Sequence, residues 1–270
     1  MTLIQAGDIQ LDYERGGSGP PLLLIMGMSG TALHWGEPFL AYLREHFDTI
    51  AYDHRGVGAS TRLDEEDPRV TIAQMADDAA ALLRALEIDS AHVVGISMGG
   101  MIAQDLALAH PDLVRTLTLG CTYCGGEGSA LIPSDVGMRL FKGMQSGDRR
   151  IAIRTGWEVN VSPEFAAEED AYASFLAIAE RRAVAIPVAM AQAQAAFGHD
   201  TSGRLHELDM PTLVVHGDAD QMLPVANGRM IASLIPGSQL EVLEGVGHLF
   251  FWERPERSAE LIREHAAVAA

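Results

Sequence analysis

Cysteine, positive charge and long apolar runs are all scarce in this 270-residue chain, and each shortage removes a class of protein from consideration. Two cysteines, Cys121 and Cys124, are too few for a disulfide framework. Their C-x-x-C spacing also serves zinc and redox motifs. A structural zinc site, however, needs about four ligands, and no second cysteine pair exists. A redox pair opens a helix after the first strand of its unit, whereas this one follows a late strand. Reduced, buried cysteines at a strand end, on the floor of a pocket, are expected; no metal and no cofactor are.

Lysine and arginine number 19 against 37 aspartates and glutamates, a formal net charge of −18. Such a chain is repelled at long range by nucleic acid and anionic membranes. Residues 125–205 hold eight basic and ten acidic side chains, so the excess belongs to the flanking body, where it serves solubility. No apolar run reaches the roughly 18 residues of a membrane span. Met1–Leu11 also lacks the basic start and apolar stretch of a secretory signal. A cytoplasmic protein acting on a small molecule, with no nucleic-acid and no membrane partner, is expected.

What the chain does contain is an alternation of short apolar strands and helical patterns. Ile9 to Glu14 and Gln239 to Leu243 alternate as half-exposed strands do. Leu22 to Ile25, Thr49 to Tyr52, Ala91 to Gly95, Val114 to Leu119 and Thr212 to His216 read as strands buried on both faces. Thr71 and Gln74 have the spacing of a capping box. After them Ile72, Met75, Ala79, Leu82, Leu83 and Leu86 form one apolar stripe, with Asp77 and Asp78 turned away from it. Further helices are predicted over Gly99–Ala109, stopped by His110-Pro111, over Val225–Ile235, and from Glu256, behind Pro255, to about Ala267. This order implies a mostly parallel sheet covered by helices on both faces. It breaks between Cys124 and Leu205, a stretch too long for a structureless loop. Residues 125–205 are therefore read as a helical cap inserted into an α/β core formed by residues 1–124 and 206–270.

The strongest local signal is Gly95-Ile96-Ser97-Met98-Gly99, directly after a strand and directly before a helix. This is the G-x-S-x-G elbow in the context it requires. A serine there turns sharply from strand to helix, and Gly95, Gly99 and Gly100 allow the close approach. Ser97 becomes a candidate nucleophile, and the N–H of Met98, at a helix N-terminus, a candidate oxyanion donor. Among ten histidines, His248 in Gly245-Val246-Gly247-His248, after the final strand, is the candidate base. The acid is sought after the strand Thr212 to Val215, where Asp218 and Asp220 both qualify. Asp220, deeper in the turn and closer to Pro224, is preferred, with Asp218 as a turn residue bonding its own backbone.

These motifs resemble the α/β-hydrolase superfamily along nearly the whole chain. Leu22 to Gly27 is similar to its oxyanion strand and loop, and Tyr52 to Ser60 to its D-x-R-G-x-G-x-S turn. The order Ser97, Asp220, His248 is the family's order, unlike those of chymotrypsin and subtilisin. The resemblance extends to small-molecule esterases, enol-lactonases and cofactor-free haloperoxidases. It implies a second oxyanion donor at the N–H of Met28, although Met26-Gly27 stands where the family commonly has His-Gly. Asp53-His54-Arg55 is then a structural turn with Arg55 bracing neighbouring loops, and Glu65-Glu66-Asp67 a solvated loop. Trp35, Leu249 and Phe250 are candidate pocket residues. Phe141, Met144, Trp157, Phe175, Met190 and Phe197 would supply an apolar lid face. The implied reaction is hydrolysis of a small to medium, largely uncharged ester or lactone. Perhydrolysis and carbon–carbon hydrolysis use the same triad, and a binding protein that has lost turnover is the reading from another class.

Overall fold

The computed structural model describes residues 1–64, 66 and 68–269. Of the acidic run 65–67, Glu65 and Asp67 lie outside the described residues. The sheet has eight strands: β1 (Thr2–Ala6), β2 (Ile9–Gly17), β3 (Pro21–Ile25), β4 (Asp48–Tyr52), β5 (Ala91–Ile96), β6 (Val114–Gly120), β7 (Thr212–Gly217) and β8 (Gln239–Leu243). Their order is β1-β2-β4-β3-β5-β6-β7-β8. β1 and β2 pair antiparallel, as do β2 and β4, and every later pairing is parallel. The strand β1 is absent from the expectation because it is a short edge strand whose Leu3 faces solvent, so its pattern carries no core signal.

Ten α-helices accompany the sheet among the described residues: α1 (Glu37–Arg44), α2 (Ile72–Ala85), α3 (Met98–Ala109), α4 (Ser134–Gln145), α5 (Arg149–Asn160), α6 (Glu169–Arg181), α7 (Ile186–Phe197), α8 (Ala226–Leu234), α9 (Phe250–Glu253) and α10 (Pro255–Ala266). The two-residue period of the strands divides the core. Leu23, Ile25 and Val93 pack with α2, α3 and α8 on one face. Leu22, Leu24, Val94 and Ile96 pack with α1, α9 and α10 on the other. The residues of both clusters are buried, and burying each large aliphatic side chain contributes about 1.5–3 kcal/mol. The start of α2 is as the sequence implied, with the Thr71 hydroxyl accepting from the Gln74 N–H at 3.0 Å.

One part of that helix is otherwise. Asp77 faces solvent, but Asp78 is buried and takes a two-pronged hydrogen bond from Arg55 at 2.7 and 2.5 Å. The polar residue lies on the inner face because a fixed cation meets it there.

Between β6 and β7 the chain makes α4 to α7, with no strand among the described residues. Among the contacts that hold these helices to the rest of the chain, two lie at α5 and α6. Trp157 of α5 is fully buried and meets Phe175 of α6 and Trp252 of α9 at centroid distances of 5.2 and 5.8 Å. Arg182, just past α6, reaches the buried carboxylates of Asp12 on β2 and Asp53 after β4, at 2.7 and 2.6 Å. Burial pushes the Asp53 pKa up, and hydrogen bonds from the Ala32 N–H and Arg182 oppose that rise.

Removing the guanidinium strands two buried carboxylates. Arg182→Ala is expected to lower the unfolding free energy by about 3 kcal/mol, read by urea denaturation. A loss within experimental error would mean that water replaces the cation.

Candidate active site

Parallel pairing sets the C-terminal ends of β5, β6, β7 and β8 side by side, and each end carries a polar group. Ile96 pairs with Gly120, Gly120 with Val215, and Gly217 with Leu243. Ser97 directly follows β5, Cys121 follows β6, Asp220 lies in the turn after β7, and His248 follows β8.

Ser97 has φ 55° and ψ −124°, a left-handed conformation that L-residues rarely adopt. The neighbours hold it there. Its N–H donates to Gly120 O at 2.9 Å, and its carbonyl accepts from the Thr122 hydroxyl at 2.6 Å and the Gly100 N–H at 2.9 Å. A Cβ on Gly95 would run into the Gly99 carbonyl, and one on Gly99 into that of Ile25, so the elbow closes only with glycine at both places. As the first residue of α3, Met98 has an N–H with no acceptor within the helix.

Asp220 is buried and fully engaged. Its Oδ1 accepts from the N–H groups of Met222 and Leu223 at 2.8 and 2.9 Å, while Oδ2 accepts from His248 Nδ1 at 2.7 Å. The His216 ring stands 3.4 Å from the same Oδ2 and donates to Leu223 O at 2.8 Å. Burial opposes the charge on Asp220, yet His248 and His216 together hold its pKa below the usual carboxylate range. Among the described residues this is the one side-chain hydrogen bond of His248, made through Nδ1.

Asp218 has a different task from the one expected. Its Oδ1 accepts from the Gly245 N–H at 2.7 Å, tying the turn after β7 to the loop that carries His248 instead of bonding its own turn. The sequence reading missed a second tie. Glu253 of α9 is buried and accepts from the N–H groups of Ser162 and Gly247, both at 2.8 Å, and from the Ser162 hydroxyl at 2.6 Å. The only sequence signal for it was an acidic residue directly after the apolar stretch Leu249 to Trp252.

Cys121 and Cys124 are free and buried. A ligand atom of Cys121 lies within 4.8 Å of those of Asp220 and His248. This is a poor cation site. Burial pushes the Cys121 thiol well up, and both Asp220 oxygens are already taken by N–H donors.

A cavity of about 150 Å³ opens above Ser97. It is lined by Met28, Met98 and Met101, by Tyr123, and by Leu131, Leu140, Ala193 and Phe197 of the insertion. Met222 and Leu223, two and three residues after Asp220, also line it. The three expected pocket residues lie elsewhere. Trp35 is buried in the core against Phe39 and Phe251, Phe250 packs over Gly120, and Leu249 rests against the same cluster. A tight turn after a strand and a short helix after a histidine carry no periodicity that says which side chain faces in. Of the six expected lid residues, Phe197 alone is in the wall; Trp157 is a core residue of the seam, and Phe141, Met144 and Met190 are exposed.

Gly27 brings the loop after β3 to the serine, for a Cβ there would stand 3.1 Å from Ser97 Cβ. The next N–H, that of Met28, has no acceptor among the described residues.

A profile of the alpha/beta hydrolase family matches residues 22–261. The chain belongs to this family. It is 30% identical to the 2-hydroxymuconate semialdehyde hydrolase of Pseudomonas sp. (strain CF600), over 98% of this chain and 93% of that protein. In structure it is similar to a thermophilic esterase from Thermogutta terrifontis, with a TM-score of 0.79, 26% identity and coverage of 99% and 98%. It is also similar to an enzyme that degrades N-acyl homoserine lactones, with a TM-score of 0.75, 29% identity and coverage of 97% and 99%. The eight-stranded, mostly parallel sheet with its flanking helices is the fold of this hydrolase family.

The depressed pKa of Asp220 fixes a pH dependence. With the folded value below the unfolded one of about 3.9, its contribution is present above that pH and is lost as the pH falls through the folded value. Between about pH 5 and 2 the wild type is expected to lose stability more steeply than Asp220→Asn in urea unfolding. Parallel slopes would show the carboxylate to be unperturbed.

Proposed function

We propose that this protein is a serine hydrolase that cleaves a small to medium, largely uncharged carboxylic ester or lactone. The observation that carries the reading is the pinned Asp220–His248 pair, at 2.7 Å, at the sheet edge where Ser97 forms the elbow. Ser97 attacks the substrate carbonyl while His248 Nε2 takes its proton, and Asp220 holds the imidazole in the tautomer with Nδ1–H. The N–H groups of Met28 and Met98 receive the developing oxyanion, and one such donor contributes about 3 kcal/mol to lowering the barrier. His248 then protonates the leaving alcohol and activates the water that releases the acyl group.

In this reading residues 125–205 form the cap over a core of residues 1–124 and 206–270. The substrate class follows from the wall. Among the described residues no charged side chain lines the cavity, so a carboxylate or phosphate on the substrate would be buried without a partner. The same absence weighs against an anionic carbon–carbon cleavage substrate. It fits the esterase and lactone-degrading proteins to which the chain is similar.

A fluorophosphonate probe is expected to modify the folded protein at Ser97 and to leave Ser97→Ala unmodified, read by intact mass and peptide mapping. Hydrolysis of neutral p-nitrophenyl esters by Ser97→Ala should fall by about 10⁴-fold or more. Labelling that persists in the variant, or none in the wild type, would sink the assignment and favour a binding protein on the hydrolase fold.

A further inference from the structure

The loop that follows β3 is held from the inserted helices as well as from the sheet. Gly27 to Gly30 forms a turn closed by the Gly30 N–H on Gly27 O at 3.2 Å, with Met28 and Ser29 at its centre. Ser29 has φ 59°, a left-handed conformation that a non-glycine residue keeps only when its surroundings impose it. Its N–H donates to Oε1 of Gln192, on α7, at 2.9 Å. Gln192 is 163 positions away in the chain and 1% exposed. Among the described residues its Nε2 has no hydrogen-bond partner, so the side chain is held in this buried place with its carbonyl oxygen as the one polar atom engaged.

Two further contacts repeat the arrangement. The Ala32 N–H donates to Asp53 Oδ1 at 2.7 Å, and the other oxygen of Asp53 is held by Arg182 at 2.6 Å. The His34 ring meets Phe175 of α6 edge-on at 5.5 Å. On the sheet side, His54 Nε2 donates to Met26 O at 2.8 Å, at the start of the loop.

We infer that Gln192 is a positioning residue for the oxyanion donor: by accepting from the Ser29 N–H it fixes the orientation of the neighbouring Met28 N–H, so that seating of the cap helix α7 completes the oxyanion hole. The inference rests on the proposed role of Met28. It gives the cap a part in the chemistry beyond walling the cavity. With α7 displaced, the strained turn loses its outer restraint, Ser29 relaxes, and the Met28 N–H swings away from Ser97. Carbonyl attack then proceeds with one donor in place of two. Gln192 does not line the cavity, so substrate binding does not depend on it directly.

The test is Gln192→Met, which keeps the length and bulk of the side chain and removes the acceptor. With p-nitrophenyl butyrate as substrate, kcat is expected to fall about 10- to 100-fold while KM stays within twofold, because loss of a whole donor costs 10²–10³. Inhibition by an alkyl trifluoromethyl ketone, which forms the same oxyanion on Ser97, should weaken by the factor lost from kcat/KM. An unchanged kcat, or a loss in KM alone, overturns the inference. The second measurement needs no variant. In the wild-type protein the Ser29 amide should exchange with deuterium at least tenfold more slowly than exposed loop amides, and exchange at the unprotected rate overturns it equally. If Ser97→Ala retained full activity, the proposed function would fail, and the Ser29 exchange result would still report separately on the contact with Gln192.

Discussion

Between Ile96 and Met98 the backbone passes from a buried strand into a helix through one residue with φ 55°, and a serine holds that angle only where its neighbours leave it no alternative. Those neighbours are specific. Gly120 and Thr122 at the end of β6 bind the Ser97 amide and carbonyl, and Gly99 lets α3 lie against the backbone of β3. The first turn of α3 is thereby pressed to the end of the sheet, with the Met98 N–H left without an acceptor in the helix. The geometry that strains the serine also presents its hydroxyl and aims the helix N-terminus at the same point in space.

Around that elbow the polar groups are fixed by local bonds that leave little freedom. Asp220 is locked by two N–H groups of its own turn before it meets His248. The histidine loop is tied at Gly245 to Asp218 and at Gly247 to Glu253. Glu253 also holds Ser162, so one buried carboxylate joins the His248 loop to the helices between β6 and β7. Rigid support of this kind keeps a reacting group within a fraction of an ångström of its working position.

The parts of the fold that the sequence made legible are those whose signal is local. β3, β5, β6 and β7 are buried at nearly every residue, and short runs rich in Leu, Val and Ile mark them in the sequence. The elbow, the acid turn and the histidine loop each announce themselves within a few residues of a strand end. What stayed hidden depends on partners far along the chain. Asp78 looked like a surface residue because its partner, Arg55, lies 23 positions away. Arg182 meets Asp12 across 170 positions, and Gln192 meets Ser29 across 163. The cavity wall was misread for a related reason: Trp35 and Phe250 are large and apolar next to site residues, and only the path of the chain shows that they point into the core.

The indole of Trp252 donates to the His34 carbonyl at 2.8 Å and stands nearly perpendicular to that of Trp157, across the seam between the hydrolase body and its inserted helices. Two of the three tryptophans in the chain therefore sit on opposite sides of one joint, and the third, Trp35, lies in the dry core beneath it. The protein carries its own optical gauge. Any motion that parts the insertion from the body would let water reach the paired indoles and redden their emission, while the core indole keeps its colour until the whole domain melts.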